Sequence, residues 1–278
     1  MNGSMDLRTR WKGKNARETA RGDPVSAMYE IMKGWEAPRG LFADSSVLLN
    51  VDGPQAQLLS RACFGKTYPP AVQLASSAST YPPAVPEEGI HLLQLGLEEA
   101  FFLSYELKCI EIYCQTPEGR IKLKHGDLWR LMERSKKRFA HYYKAYSHLR
   151  SKRWVVLSGI QYGADFMAYR HHPALVHSDY AVLVMVGERK QERLSTWTDL
   201  HSMQRLCGSV AKTLLLLHVT PEEDNAEITF PFCLDSYHVE AVEVERWIPE
   251  KHREDVGLEE KNTGISFGSH VNSFNTNP

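Results

Sequence analysis

Nine consecutive residues near the middle of the chain carry five side chains that can move protons or bind a phosphate. Tyr169, Arg170, His171, His172 and His177 lie in this stretch, directly before an apolar run that is typical of a β-strand. Tyrosine and histidine can transfer protons, and arginine binds phosphate oxygens. Their concentration at the start of one strand indicates a reaction centre there.

A metal site is one use for three histidines, but their spacing argues against it. His171 and His172 are neighbours, which point to opposite sides of an extended chain, and the only carboxylates nearby are Asp165 and Asp179. A polar turn before Pro173 is the simpler interpretation of this pair. We therefore expect neither a metal nor another cofactor.

The stretch GSVAKT (208–213) is similar to the end of a phosphate-binding P-loop, but it lacks the glycines of that motif. Ala211 stands where the motif requires its second glycine, and Leu206 where it requires the first. A predicted helix precedes the stretch and a predicted strand follows it, which reverses the P-loop order. The GxSxG and HExxH motifs do not occur either, so these three familiar chemistries are excluded.

Cleavage of RNA without a metal fits the side chains that remain. The 2′-hydroxyl of RNA can attack the neighbouring phosphate if a base removes its proton, an acid protonates the leaving oxygen and a cation stabilises the transition state. Histidine suits the acid because its unperturbed pKa is about 6.5. From residue types alone, Tyr169, His177 and a lysine are one assignment among several. Each has an ordinary alternative, as a core tyrosine, a surface histidine or a solvated lysine.

The composition is that of an ordinary globular protein with an uneven distribution of charge. Of 278 residues, 42% are hydrophobic and 24% are charged, and no apolar run is long enough to span a membrane. Five cysteines without a CxxC pair favour reduced thiols. Residues 120–153 contain twelve Lys/Arg and two Asp/Glu, whereas residues 221–260 contain thirteen Asp/Glu and three Lys/Arg. The basic segment is either a solvated helix face or a surface for a polyanion such as RNA.

Hydrophobic periodicity predicts a mixed α/β (α+β) chain. Strands are predicted at 45–51, 108–114, 153–159, 178–186, 213–219 and 239–247, and helices at 54–65, 95–107, 127–150 and 199–212. These elements indicate a small N-terminal α/β domain (46–150) and a C-terminal domain (151–250) with a mostly antiparallel sheet flanked by helices. Residues 1–45 predict a poorly ordered arm with one short helix, and residues 251–278 predict a disordered tail.

One segment repeats itself. TYPPAV occurs at 67–72 and again at 80–85, around a spacer rich in serine and alanine. Two copies are too few for a solenoid, and Pro-Pro pairs favour an extended loop. We therefore predict an insertion without a catalytic role at 66–90.

Two longer stretches resemble the signature of the tRNA-splicing endonuclease family, the tRNA intron endonucleases. RWVVLSGIQYGADFMAYRHHPALVHSDYAVLV (153–184) is similar to its G-x-x-[YF]-G-[AT]-D-[FL] block, followed by Tyr-Arg and Pro-x-x-x-His. LHSMQRLCGSVAKTLLL (200–216) is similar to its second block, in which an arginine precedes a lysine by seven positions. The resemblance is strong over residues 140–250 and looser before them. It is greatest to eukaryotic catalytic subunits that cut the 5′ splice site, in a compact plant-type form.

The resemblance implies a catalytic triad. Tyr169 would be the general base on the 2′-hydroxyl, His177 the general acid, and Lys212 the cation that stabilises the pentacoordinate transition state. The products would be a 2′,3′-cyclic phosphate and a 5′-hydroxyl, with no metal required. Tyrosine, with a pKa of about 10, is a weak base at neutral pH, and a nearby Lys212 would lower that pKa.

The resemblance also implies a substrate site and an assembly. Arg205 and Trp247 match the positions that hold a flipped bulge base of an intron-containing pre-tRNA, and Arg170 is a candidate phosphate contact beside Tyr169. The family works as a heterotetramer of two catalytic and two structural subunits in the nucleus, with no membrane partner. The strand at 239–247 and the acidic PEEDNAEI (221–228) fit subunit pairing, although an acidic loop also protects an ordinary sheet edge.

Two other functions remain open. A non-catalytic structural or RNA-binding subunit of the same complex would be expected to lack at least one triad residue, and all three are present. A free-standing RNA-binding protein would bind through the basic 120–153 segment, and the acidic C-terminal end argues against it.

Overall fold

The computed structural model describes residues 9–244, apart from residues 21, 33, 68–88, 188–193 and 222–230. Its helices are α1 (Ala16–Thr19), α2 (Pro24–Met32), α3 (Gly53–Arg61), α4 (Leu97–Phe101, continued by a π-helical segment, Phe102–Glu106), α5 (His125–Ser135), α6 (Phe139–Ser151) and α7 (Trp197–Ser209). Its strands are β1 (Arg39–Ala43), β2 (Ser46–Val51), β3 (Lys66–Thr67), β4 (His91–Leu95), β5 (Glu111–Thr116), β6 (Gly119–Lys122), β7 (Val155–Ser158), β8 (Phe166–Tyr169), β9 (Tyr180–Val186), β10 (Thr213–Pro221) and β11 (Tyr237–Val244). No helix among the described residues is long and apolar enough to cross a membrane.

The first sheet has six strands in the order β3-β4-β2-β1-β5-β6, and only the β1–β5 pair is parallel. Alternate residues of β2, such as Val47 and Leu49, are fully buried, whereas Asn50 between the buried Leu49 and Val51 is exposed. This alternation is that of a sheet with one face on the core. Helices α3 and α4 pack on that face.

The second sheet has five strands in the order β11-β10-β9-β8-β7, and only the β9–β10 pair is parallel. The central strand β9 is apolar throughout because both of its faces are covered. Tyr180, Val182 and Val184 face the core that includes α6, whereas Ala181 and Leu183 face α7. The predicted fold class, mixed α/β with mostly antiparallel sheets, is confirmed.

Three strand ends meet at one end of this second sheet, which we call the candidate-site end. Ala168, next to the last residue of β8, pairs with Tyr180, the first residue of β9, and Tyr180 pairs with Thr213, the first residue of β10. The backbone of Asp179 connects β8 to β10. Its N–H donates to the Ala168 carbonyl (3.0 Å), and its carbonyl accepts from the Thr213 N–H (2.9 Å). Residues that flank these ends are therefore neighbours in space.

The single helix predicted at 127–150 is wrong, because the structure has two helices, α5 and α6. The break includes Arg138, whose backbone is left-handed (φ +62°) without help from glycine or proline. Trp129 of α5 and Phe139 of α6 both contact Phe101, with ring centroids 5.1 Å and 6.1 Å away. Packing around Phe101 thus bends a segment whose own periodicity favours one helix.

The N-terminal region differs from its prediction as well. Within residues 9–45, expected to be a poorly ordered arm, the structure places α1, α2 and β1, and Trp11 forms an antiparallel bridge with Val176. Helix α6, assigned to the N-terminal domain by the predicted limits, packs against strands of the second sheet. Most of the predicted insertion (68–88 of 66–90) and the whole predicted tail lie outside the described residues.

Candidate active site

The signature stretch GIQYGADF forms the turn between β7 and β8. A side chain on Gly159 would approach the Ala164 carbonyl oxygen to 2.8 Å, and Gly163 has a left-handed backbone (φ +69°), so both positions favour glycine. The Asp165 carboxylate accepts a hydrogen bond from the Val184 N–H (2.8 Å) and so fastens the turn to β9. Tyr162 on this turn is 47% exposed.

Tyr169 ends β8 half-buried. It packs against a small apolar cluster that contains Val25, Cys63 and Val155. Burial raises the pKa of Tyr169 above its usual value, and Tyr162 raises it further, while the side chain of Ser178 lowers it. The pKa is therefore raised, mainly by burial, and is not lowered as was expected of a nearby Lys212. Tyr169 is a neutral phenol at pH 7.

Arg170, the candidate phosphate contact, is held by protein groups. Its Nε donates to the buried Asp179 carboxylate (3.3 Å), and its guanidinium lies 4.4 Å from the centre of the Trp154 ring. These contacts join the end of β8 to the start of β9. They favour a structural role for Arg170, in which it holds these strand ends together. Its contact with phosphate stays a prediction.

His177 is exposed and lies just before β9. Its backbone N–H donates to the carbonyl of Arg10 (3.0 Å), so the N-terminal arm holds it in place. Partial burial lowers the pKa of His177, and the positive charges of Lys12, Arg10 and Lys212 lower it further. Its imidazolium is therefore a stronger acid than free histidine, although less of it is protonated at neutral pH.

Lys212 is positioned by the end of helix α7. Its N–H donates to the Cys207 carbonyl (2.9 Å), the Ala211 N–H donates to the Gly208 carbonyl (3.1 Å), and Ala211 is left-handed (φ +52°). This is a Schellman motif with alanine in the place where glycine is usual. The pattern GSVAKT is therefore the end of a helix that directs a lysine to the start of β10.

The surroundings of Lys212 suit a bound anion. Its Nζ lies 5.3 Å from the centre of the Tyr162 ring, and among the described residues it forms no salt bridge with a carboxylate. Burial lowers the pKa of Lys212, Arg10 and to a lesser extent Lys12 lower it further, and Cys207 opposes them. An anion placed here would relieve this repulsion among cations.

We predict that Ala211→Gly stabilises the protein. The left-handed backbone of a non-glycine residue lowers the free energy of unfolding by about 1 to 2 kcal/mol, a cost that glycine does not have. Glycine gives the unfolded chain more conformational freedom, which lowers the free energy of unfolding by about 0.5 to 1 kcal/mol. The free energy of unfolding should therefore rise by about 0.5 to 1 kcal/mol, as measured by the urea midpoint of the full chain. Ala241→Gly is the matched control. This exposed residue of β11, which pairs with Leu217, should give a lower midpoint.

The structure brings Tyr169, His177 and Lys212 to the same end of one sheet. Ser178, the residue after His177, acts on the Tyr169 hydroxyl, and the charge of Lys212 acts on His177. Their catalytic roles stay predictions, as does the base-holding role of Arg205, which is exposed on α7. Trp247 lies outside the described residues; β11 ends at Val244, which pairs with Leu214 at the candidate-site end.

Three further side chains belong to this site and were missed from the sequence. Arg10 and Lys12 flank His177 from the arm, and Tyr162 lies beside Lys212. The alternation Arg-Trp-Lys is the one local signal for the arm, because it places two cations on the side opposite an aromatic. Tyr162 is the aromatic residue of the G-x-x-[YF]-G block, a position to which no role was assigned from the sequence.

Taken together, the site offers a phenol, an exposed imidazole and a group of cations where three strand ends and the arm meet. Such a set can transfer two protons and stabilise a negatively charged transition state. It matches the requirements of phosphodiester cleavage by an internal hydroxyl.

Comparison with known proteins points to the same chemistry. Residues 39–122 match the family model of the tRNA intron endonuclease, N-terminal domain, and residues 139–230 match that of the tRNA intron endonuclease, catalytic C-terminal domain. The chain is 44% identical to the tRNA-splicing endonuclease subunit Sen2-1 of Arabidopsis thaliana over 88% of this chain and 97% of the relative. It is 42% identical to Sen2-2 of the same plant over 91% and 94%, and 35% identical to the Sen2 subunit of Mus musculus over 59% and 36%.

Proposed function

The chain belongs to the tRNA intron endonuclease family, and on this premise we propose that it is the catalytic subunit of a tRNA-splicing endonuclease that cuts intron-containing pre-tRNA at the 5′ splice site. The observation that carries the proposal is the register of the second sheet. It brings the ends of three strands together, and with them Tyr169, His177 and Lys212.

In the proposed reaction Tyr169 removes the proton of the 2′-hydroxyl, whose oxygen attacks the adjacent phosphorus. The bond from phosphorus to the 5′-oxygen breaks as His177 protonates that oxygen, which leaves a 2′,3′-cyclic phosphate and a 5′-hydroxyl. Lys212 stabilises the charge on the pentacoordinate transition state. Because base, acid and cation are all side chains, the mechanism requires no metal.

The raised pKa of Tyr169 shapes this mechanism. Only its small phenolate fraction can accept a proton at neutral pH, and Ser178 favours that fraction. The greater basicity of this phenolate offsets only part of the loss in its population, because a general base works best with a pKa near the working pH. Cleavage should therefore become faster as pH rises, until deprotonation of His177 removes the acid.

The rest of the proposal concerns substrate and assembly. Arg205 and Trp247 hold a flipped bulge base of the pre-tRNA, since guanidinium and indole planes both stack on bases. The active form is a nuclear heterotetramer with a second catalytic subunit and two structural subunits. Relatives that are named as subunits of such an endonuclease support an assembly.

The test uses the full chain co-expressed with its partner subunits and an intron-containing pre-tRNA in EDTA. We expect cleavage with cyclic phosphate ends, and in the Lys212→Ala complex a rate lower by about 10²- to 10³-fold. Lys66→Ala, which removes an exposed lysine from β3 in the first sheet, is the matched control and should cut at the normal rate.

Each departure from this result has a meaning. A complex that assembles but never cuts would favour the non-catalytic structural subunit. Cleavage that EDTA abolishes would contradict the metal-free mechanism, and equal rates for Lys212→Ala and Lys66→Ala would remove the assigned cation.

A further inference from the structure

The N-terminal arm, here residues 9–20, lies along the loop that carries His177. Trp11 forms an antiparallel bridge with Val176, the Lys12 N–H donates to the Leu175 carbonyl (2.7 Å), and the His177 N–H donates to the Arg10 carbonyl (3.0 Å). One isolated β-bridge and two backbone hydrogen bonds thus hold the start of the arm beside the candidate acid. Its position depends on the protein core, and local sequence alone does not fix it.

Apolar packing fastens the arm on one side. Trp11 contacts the cluster of Ala16, Leu175 and Val176, and its ring centroid lies 6.0 Å from that of His171. His171 in turn hydrogen-bonds the Gly22 carbonyl through Nε2 (2.9 Å). His171, interpreted from sequence as part of a polar turn with His172, therefore contacts the arm through Trp11.

Alternation along the arm directs its cations away from this packed side. The Arg10 guanidinium donates through Nη2 to the Ser178 carbonyl (2.7 Å), and the Lys12 ammonium donates to the Pro173 carbonyl (2.7 Å). The Ser178 bond fixes Arg10 beside His177 and leaves several of its five N–H donors for another acceptor.

Arg10 and Lys212 form a pair of cations without a carboxylate of their own. In the described part of the chain neither forms a salt bridge, and Arg10 exerts the largest charge effect on the pKa of Lys212. Asp179 is near enough to respond to Arg10, but it is buried and bound by Arg170. Repelling cations held together by backbone bonds are typical of a site for an anion.

We propose that Arg10 is a catalytic residue of this site, and that it binds the phosphate at the cleavage position together with Lys212. The inference rests on the proposed function, because it takes the anion to be an RNA phosphodiester. A guanidinium can donate two parallel hydrogen bonds to phosphate oxygens, whereas an ammonium acts as a point charge. Arg10 orients the phosphate and Lys212 neutralises the charge that develops in the transition state.

The experiment uses the assembled complex and three arm variants of the full chain. Arg10→Gln removes the charge and keeps a donor for the Ser178 carbonyl, and Arg10→Lys keeps the charge without the paired donors. Arg17→Gln is the matched control, because Arg17 is exposed on α1 of the same arm and has no role in the site.

The first measurement is binding of a pre-tRNA that carries a 2′-deoxy nucleotide at the cleavage position and therefore cannot be cut. Arg10→Gln should weaken binding by about 10- to 100-fold, as for a lost charge-assisted hydrogen bond. The slope of log affinity against log salt should become shallower by about 1, whereas Arg10→Lys should keep the slope. Arg17→Gln should match the unaltered chain.

The second measurement is the pH profile of kcat/KM on cleavable pre-tRNA. His177 acts as an acid, so activity falls as pH rises through its pKa, which Arg10, Lys12 and Lys212 together with burial keep low. Removal of Arg10 raises that pKa, and the fall of activity should move to higher pH in Arg10→Gln but not in Arg17→Gln. A merely structural arm would not give this shift.

The outcomes separate the two proposals. If Arg10→Gln equals Arg17→Gln in affinity, salt slope and pH profile, Arg10 does not bind the phosphate, and the endonuclease function stands. If the unaltered complex does not cut, the endonuclease function fails, and the binding measurements still decide whether Arg10 contacts RNA.

Discussion

Replacing His177 with alanine is expected to slow cleavage of pre-tRNA by about 10²- to 10⁴-fold, the usual contribution of a general acid. Without the imidazolium, the 5′-oxygen must leave as an alkoxide or take its proton from water. The site makes this loss severe, because burial and three cations lower the pKa of His177 and strengthen it as an acid. Affinity for the RNA should change little, since the surrounding cations remain.

A substrate with sulfur in place of the leaving 5′-oxygen tests the assigned role directly. A thiolate leaves without protonation, since thiols have a pKa of about 8.5, and the His177→Ala complex should cut this substrate almost as fast as the unaltered complex. A defect of equal size on both substrates would contradict the acid role and indicate that His177 positions the RNA.

The matched control is His238→Ala. His238 is an exposed histidine of β11 that pairs with Thr220, far along β10 from Lys212. It should cut both substrates at the normal rate. Recovery of the subunits of the complex in the same ratio would show that neither variant disturbs assembly.

The sequence predicted well those helices and strands whose own residues carry a clear signal, such as a long apolar run or a helix cap. Strand β9 reads as an unbroken apolar run because both of its faces are covered, and α7 has a capping box at Thr196 before its helical pattern. Short strands such as β8, with only four residues, carry no such signal. They are defined by their neighbours in the sheet.

The sequence did not show features that depend on contacts between residues far apart in the chain. The arm is ordered beside His177 through the pairing of Trp11 with Val176, and no periodicity reports a partner so distant along the chain. The pKa of Tyr169 is a second case. The family resemblance marked the residue, but only its burial against Val25 and Val155 shows that it is harder to ionise than a free tyrosine.

Replacing Arg150 with methionine is expected to lower the free energy of unfolding by about 3 to 5 kcal/mol, the usual cost of breaking a fully buried charged network. Arg150 has no exposed surface, and its guanidinium lies 4.0 Å from the centre of the Phe64 ring. Its donors reach the Tyr146 hydroxyl (2.9 Å) and three backbone carbonyls, those of Ala62 (3.1 Å), Cys63 (3.2 Å) and Val156 (3.3 Å). Methionine fills similar space and leaves all three carbonyls without this donor.

Urea unfolding of the full chain, followed by tryptophan fluorescence, measures this cost. Arg130→Met is the matched control: the same substitution removes an arginine whose side chain is 63% exposed and pairs with Asp127 on the surface of α5 (3.4 Å). It should change the free energy of unfolding by less than about 1 kcal/mol. Equal losses in the two variants would mean that water replaces the guanidinium at the buried carbonyls.

The loss at Arg150 should also reach the candidate active site. Arg150 connects the turn after α3, at Ala62 and Cys63, to β7 at Val156, and Tyr169 packs on Cys63 and on Val155 of the same strand. A variant that still folds should therefore hold Tyr169 less firmly, and its cleavage rate should fall more than that of Arg130→Met at a temperature where both are folded. If Arg150→Met lost stability but kept the full cleavage rate, the packing around Tyr169 would not depend on the hydrogen bonds that Arg150 makes to the turn after α3 and to β7. Tyr169 would then be held by its place in β8, where it pairs with Val155.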